Sequence, residues 1–294
     1  MIGDYPIVSF DTSAHNRLAE DGVLSEPMLV GLRLGIFFRF AGLSIEEMFA
    51  HPEYSERRAL FAYCRRLQGG PNDCIYPHNE MLKRLILYHS KDPEHFNWRT
   101  VNVRALEMEK EIQRHELIAD ESLSAEQRLA QFEAAKEYKQ LFAGLRPKLA
   151  IVFATQGETP PPTFREAIAR AEAATPNLTL AIGKLLYDRA AGTDSSEGTI
   201  REFIDVCPPF RALTYAMLMT WYHESIRDRH TGEKFMAGRN DLFMSAHLPY
   251  CDKFITAEKH REQEKCLREI VAVARLDTEI LSYDDFLSGF LVKV

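Results

Sequence analysis

The chain has 294 residues, of which 46% are hydrophobic and 27% are charged, which suffices for a substantial core in one large domain or two. Its net charge of −7 argues against a protein that coats nucleic acid by bulk electrostatic attraction, but leaves room for a local basic patch. With no signal peptide and no apolar run of the roughly 18 residues that a membrane span needs, we expect a cytoplasmic protein. None of its five cysteines forms a C-x-x-C pair, which disfavours a zinc knuckle or a disulfide framework.

The first 75 residues are predicted to alternate between strands and helices. Residues 6–10 form a run that is apolar except for Ser9 and that precedes a polar stop, as in a buried parallel strand, and residues 12–20 follow as a helix. A second strand is predicted at residues 34–40 because Ile and Phe favour strands. Ser44 is then typical of a helix N-cap, with Glu47 as its capping-box partner.

The middle of the chain, residues 76–234, is predicted to be a large all-helical insertion. Apolar residues recur at helical spacing in the segments 80–89, 101–118, 124–145, 164–174, 178–191 and 199–229. Pro208 and Pro209 predict a break within the last of these segments.

Alternation of strands and helices returns after Gly238. Strands are predicted at residues 253–256 and 279–283, and a long helix is predicted at 258–275. The two ends of the chain, residues 1–75 and 235–294, are therefore predicted to form one α/β domain with a central, mostly parallel sheet, which the helical insertion interrupts.

Acidic residues occur near both ends of the chain, where strands end or helices begin. Asp11 follows the first apolar run, Asp241 opens a helix, and Glu258 follows the strand at 253–256. In an open α/β sheet, such positions gather in the crevice beyond the carboxyl ends of the strands. Crowded carboxylates stay ionised together only when a cation lies between them. These segments therefore indicate a metal site built from both ends of the chain.

The sequence around these acids resembles that of PIN and PIN-like nuclease domains, over roughly residues 1–70 and 235–294. The resemblance is carried by four segments: IVSFDTS at residues 7–13, SIEEMF at 44–49, NDLFMSA at 240–246 and FITAE at 254–258. In that order, the first looks like the family's opening strand, which ends in Asp, and the second like the helix that carries the family's next acidic residue. The third looks like the start of a later helix with an acidic residue, and the fourth like a short strand that an acidic residue follows.

The resemblance implies a three-layer PIN-like α/β fold and an endoribonuclease that hydrolyses RNA phosphodiester bonds at a carboxylate-ringed Mg²⁺ or Mn²⁺ site. The metal-binding and catalytic acids that match the family are Asp11, Glu47, Asp241 and Glu258. Glu46 is the alternative to Glu47, and family members usually carry Asp at the position of Glu258. The residues predicted to contact substrate or ligand water are Ser13, Asn16, Asn240, Thr256, Arg57 and Arg58.

Each acid also has a structural alternative. Asp11 and Asp241 are good helix N-caps, Glu47 can be the capping-box partner of Ser44, and Glu258 suits the positive end of a helix dipole. For the whole chain, the alternative is an inactive PIN-like scaffold whose helical insertion binds a partner protein. A phosphatase-like enzyme with Asp11 as nucleophile is a weaker option, because the sequence lacks a second Asp two positions later.

Overall fold

The computed structural model is an α/β protein in which helices outweigh strands. It describes residues 5–21, 35–67, 74–117, 122, 124–133, 136, 162–174, 176–232, 239–258 and 262–291. None of the helices in these ranges combines the length and apolar content needed to cross a membrane. The predicted α/β class and the predicted parallel sheet are both confirmed.

Short parallel strands form two sheets. The strands are β1 (Ile7–Phe10), β2 (Phe37–Phe38), β3 (Phe40–Ala41), β4 (Cys74–Ile75), β5 (Lys253–Thr256) and β6 (Glu279–Ser282). The main sheet has the order β2–β1–β5–β6, and β3 pairs with β4 in a second, two-stranded sheet. Val8 of β1 is in register with Phe38 on one side and with Lys253 on the other. The two central strands of the main sheet therefore come from opposite ends of the chain.

Buried apolar side chains explain the central position of β1 and β5. Val8, Phe10, Phe254 and Ile255 have no exposed surface, as expected for parallel strands covered on both faces. The predicted strand at 34–40 differs, since it is divided at Arg39 into β2 and β3. Residue 34 itself lies outside the described residues.

The helices account for most of the described chain. They are α1 (Thr12–Glu20), α2 (Gly42–Phe49), α3 (Tyr54–Leu67), α4 (His78–Lys91), α5 (Leu106–Leu117), α6 (Phe164–Ala174), α7 (Leu178–Ala191), α8 (Glu197–Val206), α9 (Pro208–Tyr222), α10 (Asp228–Thr231), α11 (Arg239–Phe243), α12 (Glu262–Ala274) and α13 (Tyr283–Leu291). A π-helical turn (His223–Arg227) follows α9, and a 3₁₀ helix (Met244–Tyr250) follows α11. Residues 124–133 are helical, while most of the remainder of the helix predicted at 124–145 lies outside the described residues.

Helix α9 joins the helical middle of the chain to the sheet region. It packs against the 3₁₀ helix and against α12, and its residue Phe210 belongs to the same buried cluster as Val8 and Phe254. The predicted break at the two prolines is confirmed, because α8 ends at Val206 and α9 begins at Pro208, where a missing N–H costs no helical hydrogen bond. The boundaries of the predicted insertion stay a prediction.

The predicted capping box of Ser44 and Glu47 is wrong. Helix α2 begins at Gly42, so its N-cap is Ala41, three residues before Ser44, and Ala41 offers no side-chain hydrogen bond. The Ser44 hydroxyl instead donates to the carbonyl oxygen of Phe10 at 3.2 Å. This tertiary hydrogen bond overrides the local capping preference and holds α2 against the end of β1.

Buried histidines make the expected stability depend on pH. Burial lowers the pKa of His15 to about 3 and the pKa values of His223 and His247 to about 4. An unfolded histidine has a pKa of about 6.5, so the unfolded chain binds protons first as the pH falls. The stabilisation that these neutral, buried histidines provide is therefore fully present above about pH 6.5. As the pH falls toward 4, the free energy of unfolding decreases by up to about 1.4 kcal/mol per pH unit for each histidine.

Urea unfolding of wild type and a His15→Leu variant at pH 7 and pH 5 measures this dependence. His15 stacks on Phe40 with ring centroids 5.4 Å apart, and neither of its ring nitrogens has a hydrogen-bond partner among the described residues. Between pH 7 and pH 5 the variant should lose about 2 kcal/mol less unfolding free energy than wild type. Equal losses in the two proteins would contradict the expected titration of His15.

Candidate functional site

The connection order of the main sheet predicts a ligand-binding crevice at its carboxyl edge. After β1 the chain continues to β2 on one side, whereas β5 and β6 lie on the other side. In open α/β sheets, ligands bind beyond the carboxyl ends of the strands at such a change of direction. Asp11 follows β1 and Thr256 ends β5, so both lie at this place, which we call the β1–β5 crevice.

Asp11 is held firmly at the end of β1. Its backbone N–H donates to the carbonyl oxygen of Ile255 at 3.0 Å, and only 3% of the residue is exposed. Its Oδ1 accepts from the N–H of Ala14 at 2.7 Å and from the Ser13 hydroxyl at 2.8 Å. The helix-capping alternative for Asp11 is therefore confirmed. Because a carboxylate has about four lone-pair positions, this capping leaves room for a further ligand.

The end of β5 brings further polar groups to the crevice. The Ser13 hydroxyl oxygen accepts from the N–H of Ala257 at 3.0 Å, which ties α1 to β5. The Thr256 hydroxyl donates to Gln263 Oε1 at 3.0 Å, and the N–H of Gln263 donates to Glu258 Oε2 at 2.6 Å. Glu258 therefore accepts a hydrogen bond from the first turn of α12, as its structural alternative predicts.

Asp11 and Glu258 interact electrostatically. The pKa of Asp11 is raised above its usual value, mainly because the carboxyl group is buried. Neighbouring hydrogen-bond donors lower this pKa, and the negative charge of Glu258 raises it again. A divalent cation beside the two carboxylates would favour their ionised forms and offset the repulsion between them.

Helix α2 brings Glu47 to Thr12, the first residue of α1. Glu47 Oε2 accepts a hydrogen bond from the hydroxyl of Thr12, the residue that follows Asp11. The pKa of Glu46 is raised to about 7, first by burial and then by the charge of Glu47. The hydrogen bond from Thr12 links Glu47 to the end of β1 and favours it over Glu46 as the second acid.

Gln263 connects Asp241 to the crevice. The Gln263 side-chain amide donates to the backbone carbonyl oxygen of Asp241 at 3.4 Å. The Oε1 atom of Gln263 accepts from the Thr256 hydroxyl, and its backbone N–H donates to Glu258. Gln263 is 2% exposed and was not among the predicted site residues. The only signal for it was its place in the first turn of a helix that was predicted to begin at Glu258, where a helix start leaves N–H groups to be bonded. Asn240 precedes Asp241 in α11, and its side chain lies outside the described part of the chain.

The remaining predicted substrate contacts lie in different environments. Asn16 is on α1, and its buried Oδ1 has no hydrogen-bond partner among the described residues. Arg57 is completely buried and donates to the carbonyl oxygen of His51 at 2.7 Å, so it contributes to the packing of α3. Arg58 is exposed on the same helix, and its substrate contact stays a prediction.

The four predicted acids have the type of ligand atom that a hard cation binds. Carboxylate oxygens, which Asp11, Glu47, Asp241 and Glu258 supply, are the ligands that Mg²⁺ and Mn²⁺ prefer. Within the described ranges, however, no group of three or more His, Cys, Asp or Glu side chains is arranged to hold a metal ion. The charge of Glu258 raises the pKa of Asp11, which places these two acids near each other, and the ring of four acids stays a prediction.

Comparisons of the chain with protein-family models, curated proteins and solved structures found no match. The PIN-like resemblance is therefore carried by the four sequence segments alone, and the three-layer arrangement stays a prediction.

Proposed function

We propose that this chain is a metal-dependent endoribonuclease that hydrolyses RNA phosphodiester bonds at the β1–β5 crevice, with Mg²⁺ or Mn²⁺ as cofactor. The observation that carries the proposal is the buried Asp11 carboxyl group at the place where open α/β sheets bind ligands, with the charge of Glu258 near enough to raise its pKa. A divalent cation there would offset the repulsion between the two carboxylates. The PIN-like segments at 7–13 and 254–258 contain this same pair, and they support RNA as the substrate.

The side chains around the crevice have different proposed roles. Asp11 and Glu258 would bind the ion, with Glu47 and Asp241 completing its shell directly or through water. When bound, the ion supplies an activated water and stabilises the leaving oxygen of the phosphodiester. Ser13 and Thr256 form hydrogen bonds within the protein, so we assign them to positioning the carboxylates rather than to binding substrate.

Asn16 is proposed to contact a ligand water, and Arg58 is proposed to contact a phosphate group. The buried Oδ1 of Asn16 can accept a hydrogen bond from a ligand water, and the exposed guanidinium of Arg58 can contact a phosphate oxygen. Asn240 stays a proposed second contact beside Asp241. The five cysteines are buried thiols, which supports the reducing cytoplasm as the site of action.

Calorimetric titration with Mn²⁺ tests the metal site. Asp11→Asn retains an oxygen for the N–H of Ala14, so α1 keeps its cap while one negative charge is lost. We expect wild type to bind Mn²⁺ and Asp11→Asn to bind it at least about tenfold more weakly. Asp252→Asn is the matched control, because Asp252 accepts from the N–H of Ile7 at 2.7 Å at the opposite end of the same two strands.

The titration distinguishes the proposed metal-dependent nuclease from the alternative of an inactive scaffold. Equal Mn²⁺ affinity in wild type and Asp11→Asn would contradict a metal site at the crevice. A silent titration of wild type, together with intact RNA after incubation with Mn²⁺, would favour the inactive PIN-like scaffold that binds a partner protein through the helical insertion.

A further inference from the structure

A cleft lined by arginines lies beside the small sheet of β3 and β4. It has a volume of about 380 Å³. Its polar lining, which defines what we call the arginine cleft, includes Arg39, Arg99, Thr100, Asn102, Arg104 and Tyr250. Buried apolar residues, among them Ile75 and Val103, complete the wall.

The arginine cleft is separate from the β1–β5 crevice. Tyr250 ends the 3₁₀ helix just before β5 begins, whereas Thr256 ends β5 at the crevice, so the strand lies between the two places. Arg39 donates from Nη1 to the carbonyl oxygen of Tyr250 at 2.6 Å, which directs its guanidinium toward the amino end of β5. A ligand in the cleft would therefore not contact Asp11.

The cleft concentrates positive charge in an acidic protein. The chain has a net charge of −7, yet three guanidinium groups line this one cleft, and no Asp or Glu lines it within the described ranges. In the same part of the chain, neither Arg99 nor Arg104 pairs with a carboxylate, and both are exposed. An anion would gain from the Arg99 and Arg104 guanidinium groups without competition from a carboxylate of the described residues.

The arginines are attached to well-anchored backbone. The N–H of Arg104 donates to Asn102 Oδ1 at 3.1 Å, and Arg104 forms an antiparallel bridge with Ile75 of β4. The Arg99 guanidinium lies 5.2 Å from the ring centre of Trp98, and that ring packs edge-on against Tyr250 at 5.0 Å. Their backbones are therefore held in place while the side chains reach the open cleft, which lowers the ordering cost of binding.

We propose that the arginine cleft binds a small organic phosphate monoester. The planar guanidinium fork matches two phosphate oxygens at once, and a doubly charged phosphate can engage more than one arginine. A cleft of about 380 Å³ is within the size range of small-molecule sites, and its apolar wall suits the organic part of such a ligand. Ligand binding there is independent of catalysis at the β1–β5 crevice.

Calorimetry of the full chain in a phosphate-free buffer tests this site, with adenosine 5′-monophosphate as the probe and adenosine as its uncharged counterpart. We expect the monophosphate to bind and adenosine to bind at least about tenfold more weakly, because the phosphate supplies the charge-assisted hydrogen bonds. Arg99→Ala and Arg104→Ala should each weaken monophosphate binding about tenfold, and the double variant should weaken it further.

Arg165→Ala is the matched control, since Arg165 is exposed on α6 and does not line the cleft. Its affinity should equal that of wild type. The proposal is overturned if wild type does not bind the monophosphate, or if the Arg99/Arg104 double variant binds it as tightly as wild type. It is also overturned if these two arginines support binding of a short RNA while the monophosphate does not bind, because the cleft would then be a nucleic-acid surface.

Discussion

Mn²⁺-supported cleavage of RNA should decrease by roughly a hundredfold or more when Asp11 and Asp241 are both changed to Asn. Loss of a residue that only supports a metal ligand costs about 10–100-fold, and these two carboxylates are proposed to bind the ion itself or its water. Each Asn is isosteric with the Asp that it replaces, so the main change is the loss of negative charge. The measurement is the initial rate of cleavage of an end-labelled single-stranded RNA, followed on a denaturing gel.

A double variant of two other aspartates controls for general effects of removing charge. Asp252 bonds to the start of β1, and Asp92, at the C-terminal end of α4, forms an exposed ion pair with His95 at 3.0 Å. Asp252→Asn with Asp92→Asn removes the same number of charges away from the crevice and should retain cleavage. Undiminished cleavage by the Asp11/Asp241 variant, with circular dichroism and urea unfolding like those of wild type, would rule out the proposed nuclease site.

Several elements of the fold could be predicted because their signals are local. Strand β5 and helices α1, α6 and α7 have the predicted boundaries. In β1 and β5, an apolar run ends at a polar residue, and this pattern follows directly from burial on both faces of a parallel sheet. The break before α9 could be predicted equally well, since two consecutive prolines are compatible with the start of a helix but not with its interior.

Other features depend on contacts between distant residues and carried no local signal. Strand β4 has only two residues, Cys74 and Ile75, too few to show periodicity, and it is defined by its pairing with β3 and its bridge to Arg104. The capping box failed for a related reason. Ser44 has a partner 34 positions away, the carbonyl oxygen of Phe10, which a pattern limited to one helix turn could not include.

The edge of the sheet at which Asp11 and Glu258 lie could be predicted from the sequence, whereas their contacts could not. Asp11 and Glu258 follow the two strands that became the centre of the sheet, so their proximity follows from parallel pairing once the strand order is known. The sequence did not indicate that buried Gln263 would bond to both Thr256 and the Asp241 backbone. An amide side chain in a helix has no motif of its own, and its role becomes visible only when the segments that it joins are in contact.

Gly42→Ala is expected to reduce the free energy of unfolding by about 3 kcal/mol or more. Gly42 opens α2, and a Cβ atom there would lie 2.7 Å from Pro77 Cδ and still closer to the carbonyl oxygen of Ile75 and the nitrogen of Pro77. Two of these three atoms are backbone, so the clash cannot be relieved by a change of side-chain rotamer. Helix α2 or the segment that joins β4 to α4 must move instead. Urea unfolding followed by circular dichroism gives the difference directly.

Gly289→Ala is the matched control for this substitution. Gly289 lies in helix α13, and a Cβ atom there would meet no atom within 4 Å, so alanine should stabilise the protein by up to about 1 kcal/mol through its higher helix propensity. An unfolding free energy of Gly42→Ala within about 0.5 kcal/mol of wild type would show that α2 does not approach Pro77 as closely as described. Because α2 also carries Glu47, a shift of this helix should weaken Mn²⁺ binding as well as stability, which links the packing of a single glycine to the proposed metal site.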